Sequence, residues 1–203
     1  QLQRAGFVIK AGSLFSIFRR DWMDERFIRN EMLWGPAAQA RLAQAHVLVL
    51  GLGGVGSYVV ECLARAGIGE LTVVDSDVIS LSNLNRQLLA LNSTVGMPKA
   101  QAAAARIREI NPNAIVHPIQ GTYDAQHRDL CFPEGCRYDY IVDAIDLVSC
   151  KIDLVLTARR LGIPLVMALG TGNKLDPAQL RLADLSETYG CPLARVMRKE
   201  LRA

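Results

Sequence analysis

A glycine-rich turn between an apolar strand and a helix is the feature that most constrains this sequence. The turn, Gly51 to Ser57 with the sequence GLGGVGS, follows the apolar run Val47 to Leu50 and opens a segment of helical period. Glycines let the backbone approach a phosphate group, and the N–H groups and positive dipole of a helix N-terminus favour an anion. The turn therefore predicts a phosphate site formed by Gly51, Gly53, Gly54 and Gly56. A tight turn without a ligand is the alternative, and the turn alone does not separate NAD from ATP.

Short apolar runs alternate along the chain with longer segments of helical period. This alternation predicts an α/β fold, a Rossmann-like and mostly parallel sheet flanked by helices. The predicted strands are Val47 to Leu50, Leu71 to Val74, Ala114 to Pro118, Tyr140 to Val142 and Leu165 to Ala168. The predicted helices are Ala37 to Ala45, Gly56 to Ala66, Pro98 to Ile110 and Ser149 to Leu161. Right-handed crossovers bring the C-terminal ends of the strands to one edge, so loops near residues 51, 75–87 and 143–149 should border a common crevice.

Two acidic residues follow the second predicted strand. Asp75 ends this strand nineteen positions after Gly56. A carboxylate there can accept hydrogen bonds from the hydroxyl groups of a ribose. Asp77 lies in the same loop, and we include both residues in the predicted nucleotide site.

Two later segments indicate whether the chain is a nucleotidyl transferase or a hydride-transfer enzyme. They are Ser82 to Gln87 (SNLNRQ) and Gly96 to Lys99 (GMPK). Arg86 and Lys99 suit the neutralisation of a departing pyrophosphate, whereas the pyrophosphate of a nicotinamide cofactor is not cleaved. A lysine at a helix N-terminus is also unfavourable unless an anion lies nearby. The segments therefore favour the ATP-binding variant of the fold; the alternative makes Arg86 a solvated loop charge and Lys99 an ordinary helix residue.

A further strand brings two carboxylates to the same edge of the sheet. Asp143 and Asp146 lie in the segment Tyr140 to Asp146 (YIVDAID). Mg²⁺ prefers carboxylate oxygens together with phosphate oxygens and water, and Asp146 is the predicted metal ligand. The alternative for either residue is a carboxylate that caps the helix beginning near Ser149.

Composition narrows the class of protein. Half of the 203 residues are hydrophobic, and 23 Lys and Arg stand against 20 Asp and Glu, too even a balance to indicate nucleic-acid binding by itself. Five cysteines without a C-x-x-C pair favour a reducing cytoplasm. The histidines, His46, His117 and His127, are scattered in sequence, which predicts no metal cluster. No apolar run reaches the roughly 20 residues of a membrane span, although the stretch Phe7 to Phe18 raises the hypothesis of peripheral membrane association.

In their order and spacing, these motifs resemble the superfamily of ThiF, MoeB and the ubiquitin-activating enzymes. Within it the chain is most similar to bacterial tRNA threonylcarbamoyladenosine dehydratases of the TcdA type. Further features of that resemblance are Arg65 to Gly69, Asp143 to Leu147, Lys174 to Pro177 and Cys191 to Arg195. The resemblance begins near Met23, so we divide the chain into an N-terminal extension, residues 1–22, that is not necessarily native, and an adenylation domain, residues 23–203, expected to be truncated at its C-terminus.

The resemblance implies an enzyme that uses ATP and Mg²⁺ to adenylate a carboxylate of the threonylcarbamoyl group on tRNA and then closes a ring with loss of water. It implies phosphate contacts from the glycine backbone, a ribose contact from Asp75, and nucleotide contacts from Asp77, Asn83, Arg86, Gln87 and Lys99. It also implies a homodimer, in which Arg29 reaches the nucleotide of the partner subunit.

Three other functions stay open. One is adenylation of the C-terminal glycine of a ubiquitin-like sulfur-carrier protein. The others are a nicotinamide-dependent oxidoreductase, disfavoured by Arg86 and Lys99, and an idle scaffold that binds nucleotide or tRNA. Several relatives pass the acyl group to a cysteine, for which Cys191 is a weak candidate against the alternative of a buried or merely exposed thiol.

Overall fold

A five-stranded parallel sheet organises the computed structural model of the chain, which describes residues 24–202. The predicted extension, residues 1–22, and its apolar stretch lie outside the described residues. Between residues 24 and 202, no helix is both long and apolar enough to cross a bilayer. The strands are β1 (His46–Leu50), β2 (Glu70–Val74), β3 (Ile115–Ile119), β4 (Tyr140–Asp143) and β5 (Leu165–Met167).

Seven α-helices connect or flank these strands in the described part of the chain. They are α1 (Ile28–Trp34), α2 (Pro36–Gln44), α3 (Gly56–Ala66), α4 (Lys99–Ile110), α5 (Arg128–Cys131), α6 (Val148–Leu161) and α7 (Pro192–Glu200). Short 3-10 turns lie at Glu25–Phe27, Leu81–Asn83, Asn92–Thr94, Pro177–Gln179 and Leu185–Glu187. α3 and α6 end at Gly67 and Gly162, whose left-handed backbone is the common way to terminate a helix.

The sheet has the strand order β3-β2-β1-β4-β5. The chain adds β2 and β3 on one side of β1 and then crosses back to add β4 and β5 on the other side of β1. β1 is paired in parallel with both β2 and β4. In such sheets the reversal of strand order opens a crevice at the C-terminal ends of the central strands, where ligands bind. The predicted crevice therefore lies between β1 and β4.

Both faces of the central strands β1 and β2 are buried, which explains why these strands read as nearly continuous apolar runs. On β1, Val47 and Val49 face a core completed by residues of α3 and α4. Leu48 and Leu50 point to the opposite face, where Ile141 of β4 and Leu154 of α6 belong to the same core. The central strand thus stabilises two helical layers.

The predicted α/β fold and the five predicted strands are confirmed, with small shifts at the ends. β3 begins at Ile115 rather than Ala114, because the Ala114 N–H closes a turn onto Asn111 while the Ile115 N–H bonds to Gly69. Pro118 lies within β3, an edge strand, where its missing N–H costs no ladder bond on the open side. α4 begins one residue after the predicted Pro98, and α6 one residue before Ser149.

Candidate active site

Three loops meet at the C-terminal ends of β1, β2 and β4, as the predicted topology requires. The Gly51 N–H donates to Val74 O at 2.8 Å, and the Ala144 N–H donates to Leu50 O at 2.8 Å. These bonds extend the parallel ladders into the loops. They hold the glycine turn, the loop after β2 and the loop after β4 around one crevice.

Two of the glycines are required by the packing of the turn itself. Gly51 has φ of 86°, and a Cβ there would lie 2.6 Å from Ala144 O. A Cβ on Gly56 would lie 1.7 Å from Gly51 O. Both distances exclude a side chain, so these two glycines are explained by the fold without any ligand.

The other two glycines have room beside them. A Cβ on Gly53 would meet only the Nε2 of Gln87, at 3.8 Å, and one on Gly54 would meet the side chain of Arg86, at 3.6 Å. Both are ordinary contact distances. Packing does not demand glycine at these positions, and close approach of a ligand to the backbone is the remaining physical reason for it.

The turn leads into the N-terminus of α3, which no side chain caps in the described structure. The first N–H groups of a helix lack partners within it and carry the positive end of the helix dipole. The Oγ of Ser57, in the first turn of α3, accepts the Leu88 N–H at 3.1 Å. This bond fixes the loop that carries Arg86 next to the N-terminus of α3, where the Ser57 N–H is already bonded to Gly53 O at 3.1 Å.

Asp75 helps to hold the turn in place. One carboxylate oxygen accepts the Leu52 N–H at 2.7 Å, and the other accepts the Asp77 N–H at 2.8 Å. The side chain retains 10% exposure at the crevice. Because each carboxylate oxygen has a second lone pair, these bonds leave acceptor capacity for a ribose.

Lys99 is nearly buried, at 5% exposure, and its ammonium group faces two carboxylates. The Nζ lies 2.7 Å from Asp77 Oδ2 and 3.8 Å from Asp75 Oδ1. The anion that a lysine at a helix N-terminus requires is therefore present in the protein itself. The contacts bring together three residues of the predicted nucleotide site, Lys99, Asp75 and Asp77. They also give Lys99 a structural role, and a bound phosphate would share its ammonium group with the two carboxylates.

Three more predicted residues lie at the end of the 3-10 turn Leu81–Asn83 and on the segment that follows it. The Oδ1 of Asn83 accepts the Ser80 N–H at 3.0 Å and closes this turn. The Nη1 of Arg86 donates to Ser82 O at 3.1 Å, and its aliphatic stem borders Gly54. Gln87 is buried beside Gly53, and its Oε1 has no hydrogen-bond partner within residues 24–202. A polar ligand at the turn can donate a hydrogen bond to this buried amide oxygen.

The carboxylate of Asp143 does not face the crevice as the sequence suggested. It is fully buried and lies 3.0 Å from the Nζ of Lys151, which is fully buried as well. Lys151 also donates to Ile145 O at 3.0 Å and to Ala168 O at 2.9 Å. Burial raises the pKa of Asp143, although Lys151 opposes the shift. The pair fixes the loop after β4; sequence reasoning missed Lys151, whose only signal was a charge on the apolar face of a helix.

Asp146 and Arg29 are both exposed, and they lie in different places. Asp146 follows β4 in the loop that borders the crevice. Arg29 lies on α1, where the neighbouring Asn30 donates to Arg65 O at 2.7 Å, at the C-terminal end of α3. The eleven residues of α3 separate that end from the glycine turn by about 16 Å. Within one chain Arg29 is therefore not brought to the crevice.

Cys191 caps the N-terminus of α7 and is buried. Burial raises the pKa of this thiol, but backbone N–H groups, those of Ala194 and Gly170 foremost, outweigh burial and hold the pKa below its ordinary value. The thiol is buried, with 9% of the residue exposed. A nucleophilic role for Cys191 stays the weaker of the two alternatives.

The prediction of scattered histidines is wrong for two of them. His46 and His117 lie on β1 and β3, and their rings are 5.7 Å apart with Glu70 between them. Their clustering was not visible in the sequence, because only the order and register of the strands bring the three side chains to the same face of neighbouring strands.

Comparisons with known proteins agree with this geometry. The ThiF family model matches residues 27–203. The tRNA threonylcarbamoyladenosine dehydratase of Haemophilus influenzae is 42% identical over 184 residues, 91% of this chain and 70% of that protein. The structure of the E. coli tRNA N6-threonylcarbamoyladenosine dehydratase in complex with ATP has a TM-score of 0.84 and 40% identity, covering 88% of this chain and 73% of that one. The SAMP-activating enzyme E1 of Haloferax volcanii is 40% identical over 132 residues, 65% of this chain and 48% of that enzyme.

Proposed function

The chain belongs to the ThiF family, and on that basis we propose that it is an ATP-dependent dehydratase of threonylcarbamoyladenosine in tRNA. The observation that carries the proposal is the crevice itself. It combines two glycines whose backbone is open to a ligand, an uncapped helix N-terminus, Lys99 and Arg86. This set suits a triphosphate that is to be cleaved, and similarity to the dehydratases indicates the carboxylate that attacks it.

The first stage is attack by a carboxylate oxygen of the threonylcarbamoyl group on the α-phosphorus of ATP. The bond to pyrophosphate breaks, and a mixed anhydride with AMP remains. The N–H groups at Gly53 and Gly54 bind phosphate oxygens, while Asp75 accepts hydrogen bonds from the ribose. Lys99 and Arg86 stabilise the charge that develops on the leaving pyrophosphate, a role in which one donor is typically worth a factor of about 10² to 10³ in rate.

In the second stage a nucleophile within the same modified nucleoside attacks the activated carbonyl, and AMP leaves. The ring closes with net loss of one water from the nucleoside. Little further help is required from the protein, because the reacting groups already belong to one molecule. The loop after β4, which Lys151 holds through Ile145 O, borders this part of the crevice.

Asp146 is the residue that would hold Mg²⁺. Its exposed carboxylate on the crevice loop fits such a site, because Mg²⁺ in nucleotide enzymes is commonly held by one or two carboxylates together with substrate phosphates. When bound, the ion would neutralise part of the triphosphate charge. The protein itself contributes the position of Asp146, because the ion pair between Asp143 and Lys151 joins the two elements that flank the loop.

Arg29 acts on the nucleotide of a second subunit in a homodimer. Two observations support this part of the proposal. Arg29 lies on α1, which contacts the end of α3 that is remote from the glycine turn of the same chain. α1 also exposes the apolar side chains of Met32 and Leu33. Exposed apolar side chains beside one another favour a surface that a partner covers. We assign residues 23–203 to the adenylation domain of this dimer.

The test is exchange of labelled pyrophosphate into ATP by the full-length protein. Exchange stimulated by tRNA that bears threonylcarbamoyladenosine, but not by the same tRNA without the modification, is expected. Mass spectrometry of the tRNA nucleosides should then show loss of one water.

Adenylation of a sulfur-carrier protein is the second candidate, favoured by the similarity to the SAMP-activating enzyme of Haloferax volcanii. A ubiquitin-like carrier ending in glycine belongs in the same exchange assay. Stimulation by the carrier and not by the modified tRNA would preserve the assignment of the crevice and overturn the choice of substrate.

A further inference from the structure

A second cluster of polar side chains lies at the opposite end of the sheet from the crevice. It consists of His46, Glu70 and His117, named here the His–Glu–His cluster. His46 is the first residue of β1 and pairs in register with Glu70, the first residue of β2. His117 on β3 pairs with Thr72, two residues after Glu70, so all three side chains project from the same face.

The three side chains converge on one point. Each offers one ligand atom, and these atoms all lie within 4.8 Å of one another. Glu70 Oε1 lies 2.7 Å from His117 Nε2 and 3.6 Å from His46 Nδ1. In the described part of the chain this is the one group of three His, Cys, Asp or Glu residues close enough to share a metal ion.

The ring of His46 is fixed in an orientation that suits a metal ligand. Its Nε2 lies 2.9 Å from Thr72 Oγ1, which leaves Nδ1 turned toward Glu70. The ring of Tyr138 packs against it edge to face, with the centroids 4.5 Å apart. Metal-binding histidines commonly donate the N–H of their other ring nitrogen to such an outer partner, which sets the tautomer and the ring plane.

The backbone at the start of the cluster is held in place as well. The carboxylate of Asp139, the other acidic group nearby, accepts the backbone N–H of His46 at 2.8 Å and fixes the start of β1.

We propose that the His–Glu–His cluster binds a transition-metal dication of the Zn²⁺ type, at a site separate from the nucleotide crevice. Two imidazoles and one carboxylate form a known ligand set for Zn²⁺, with a fourth position left to water. Mg²⁺ is disfavoured, because it prefers oxygen ligands. The ion would tie together β1, β2 and β3 at one point, replacing the hydrogen bond between His117 and Glu70.

The experiment is calorimetric titration of Zn²⁺ into the full-length protein, purified without a histidine tag and stripped of metal with a chelator. One high-affinity ion per chain is expected. His117→Ala and Glu70→Gln should each lower the affinity by at least the ~10- to 100-fold that loss of an outer partner already costs. The side chains of His117 and Glu70 are 48% and 34% exposed, so both variants should keep the native circular dichroism spectrum.

Two matched controls separate this site from other metal-binding groups. His127→Ala removes an exposed histidine paired with Asp124, and Cys62→Ser removes an exposed thiol; neither should change the affinity. Co²⁺ in place of Zn²⁺ should give visible absorption without the charge-transfer bands of a thiolate ligand. Absence of stoichiometric Zn²⁺ binding, or binding unchanged in both His117→Ala and Glu70→Gln, would reduce the cluster to a hydrogen-bonded network and overturn the proposal.

Discussion

Gly54 and Gly56 lie two residues apart in the same turn, yet their surroundings predict opposite consequences of substitution. Gly54→Ala adds a methyl group 3.6 Å from the stem of Arg86, an ordinary contact, so the variant should fold with nearly unchanged stability. It should nevertheless bind ATP more weakly, because in the proposed site a phosphate lies against the backbone of this turn, where glycine allows close approach. Calorimetric titration with ATP and thermal unfolding measure the two effects separately.

Gly56→Ala is the matched comparison. Its methyl group would lie 1.7 Å from Gly51 O, which the backbone must move to avoid, and the free energy of unfolding should fall markedly. If Gly54→Ala bound ATP as tightly as the wild type, the open glycine backbone would not be the phosphate site.

The ion pair between Lys99 and Asp77 allows two roles for Lys99, one in catalysis and one in structure, and a double-mutant cycle distinguishes them. Lys99→Ala should lower the rate of pyrophosphate exchange by about 10² or more if the ammonium group stabilises charge in the transition state. The same loss would follow from a purely structural role, because Lys99 contacts Asp77 at 2.7 Å. Asp77→Asn removes that charge pair while keeping the size of the side chain.

In the Asp77→Asn background the two roles differ. A direct action on phosphate leaves the effect of Lys99→Ala at about the same size, whereas an action through Asp77 abolishes it. A change in ATP affinity alone, with the maximal rate preserved, would also count against a role in the transition state.

At the scale of elements, the loop between β4 and α6 depends on one buried ion pair. Lys151→Met should destabilise the protein by about 3–5 kcal/mol near neutral pH, because the buried carboxylate of Asp143 would keep only the Ile145 N–H and lose its opposite charge. Urea denaturation of the variant and the wild type measures the difference. Asp143→Asn combined with Lys151→Met, which removes both charges, should recover part of the loss.

The pH dependence of Lys151→Met follows from the sign of the shift at Asp143. Burial already raises its pKa in the presence of Lys151, and it should rise further without that lysine. A carboxyl group whose pKa is higher in the folded state than in the unfolded state makes stability fall as the pH rises between the two values. The variant should therefore approach the wild type in stability as the pH is lowered, and a deficit independent of pH would contradict this account.

For the whole molecule, local sequence patterns were sufficient to predict the helices and strands and the loops that border the crevice. The glycine turn, the residues after β2 and the segment with Arg86 follow the ends of neighbouring strands, so topology alone assembles them. The partners of Asp143 and His46 were not predictable in the same way. Lys151 lies eight residues beyond Asp143 on a helix, and Glu70 and His117 lie on other strands, so their contacts depend on strand order, register and burial.

Arg29 illustrates the same limit at the scale of assembly, since its proposed partner belongs to another copy of the chain. Arg29→Ala and Lys99→Ala should each inactivate pyrophosphate exchange when tested separately. Mixed after reversible dissociation of the subunits, they should recover about a quarter of wild-type activity, because random exchange makes half of the dimers mixed and each mixed dimer has one intact site of two. Two Lys99→Ala samples mixed in the same way are the control.

If Arg29 instead served its own subunit, each active site in the mixture would lack one of the two residues and no activity would return. The distance of about 16 Å along α3 between the anchor of α1 and the glycine turn favours the first outcome.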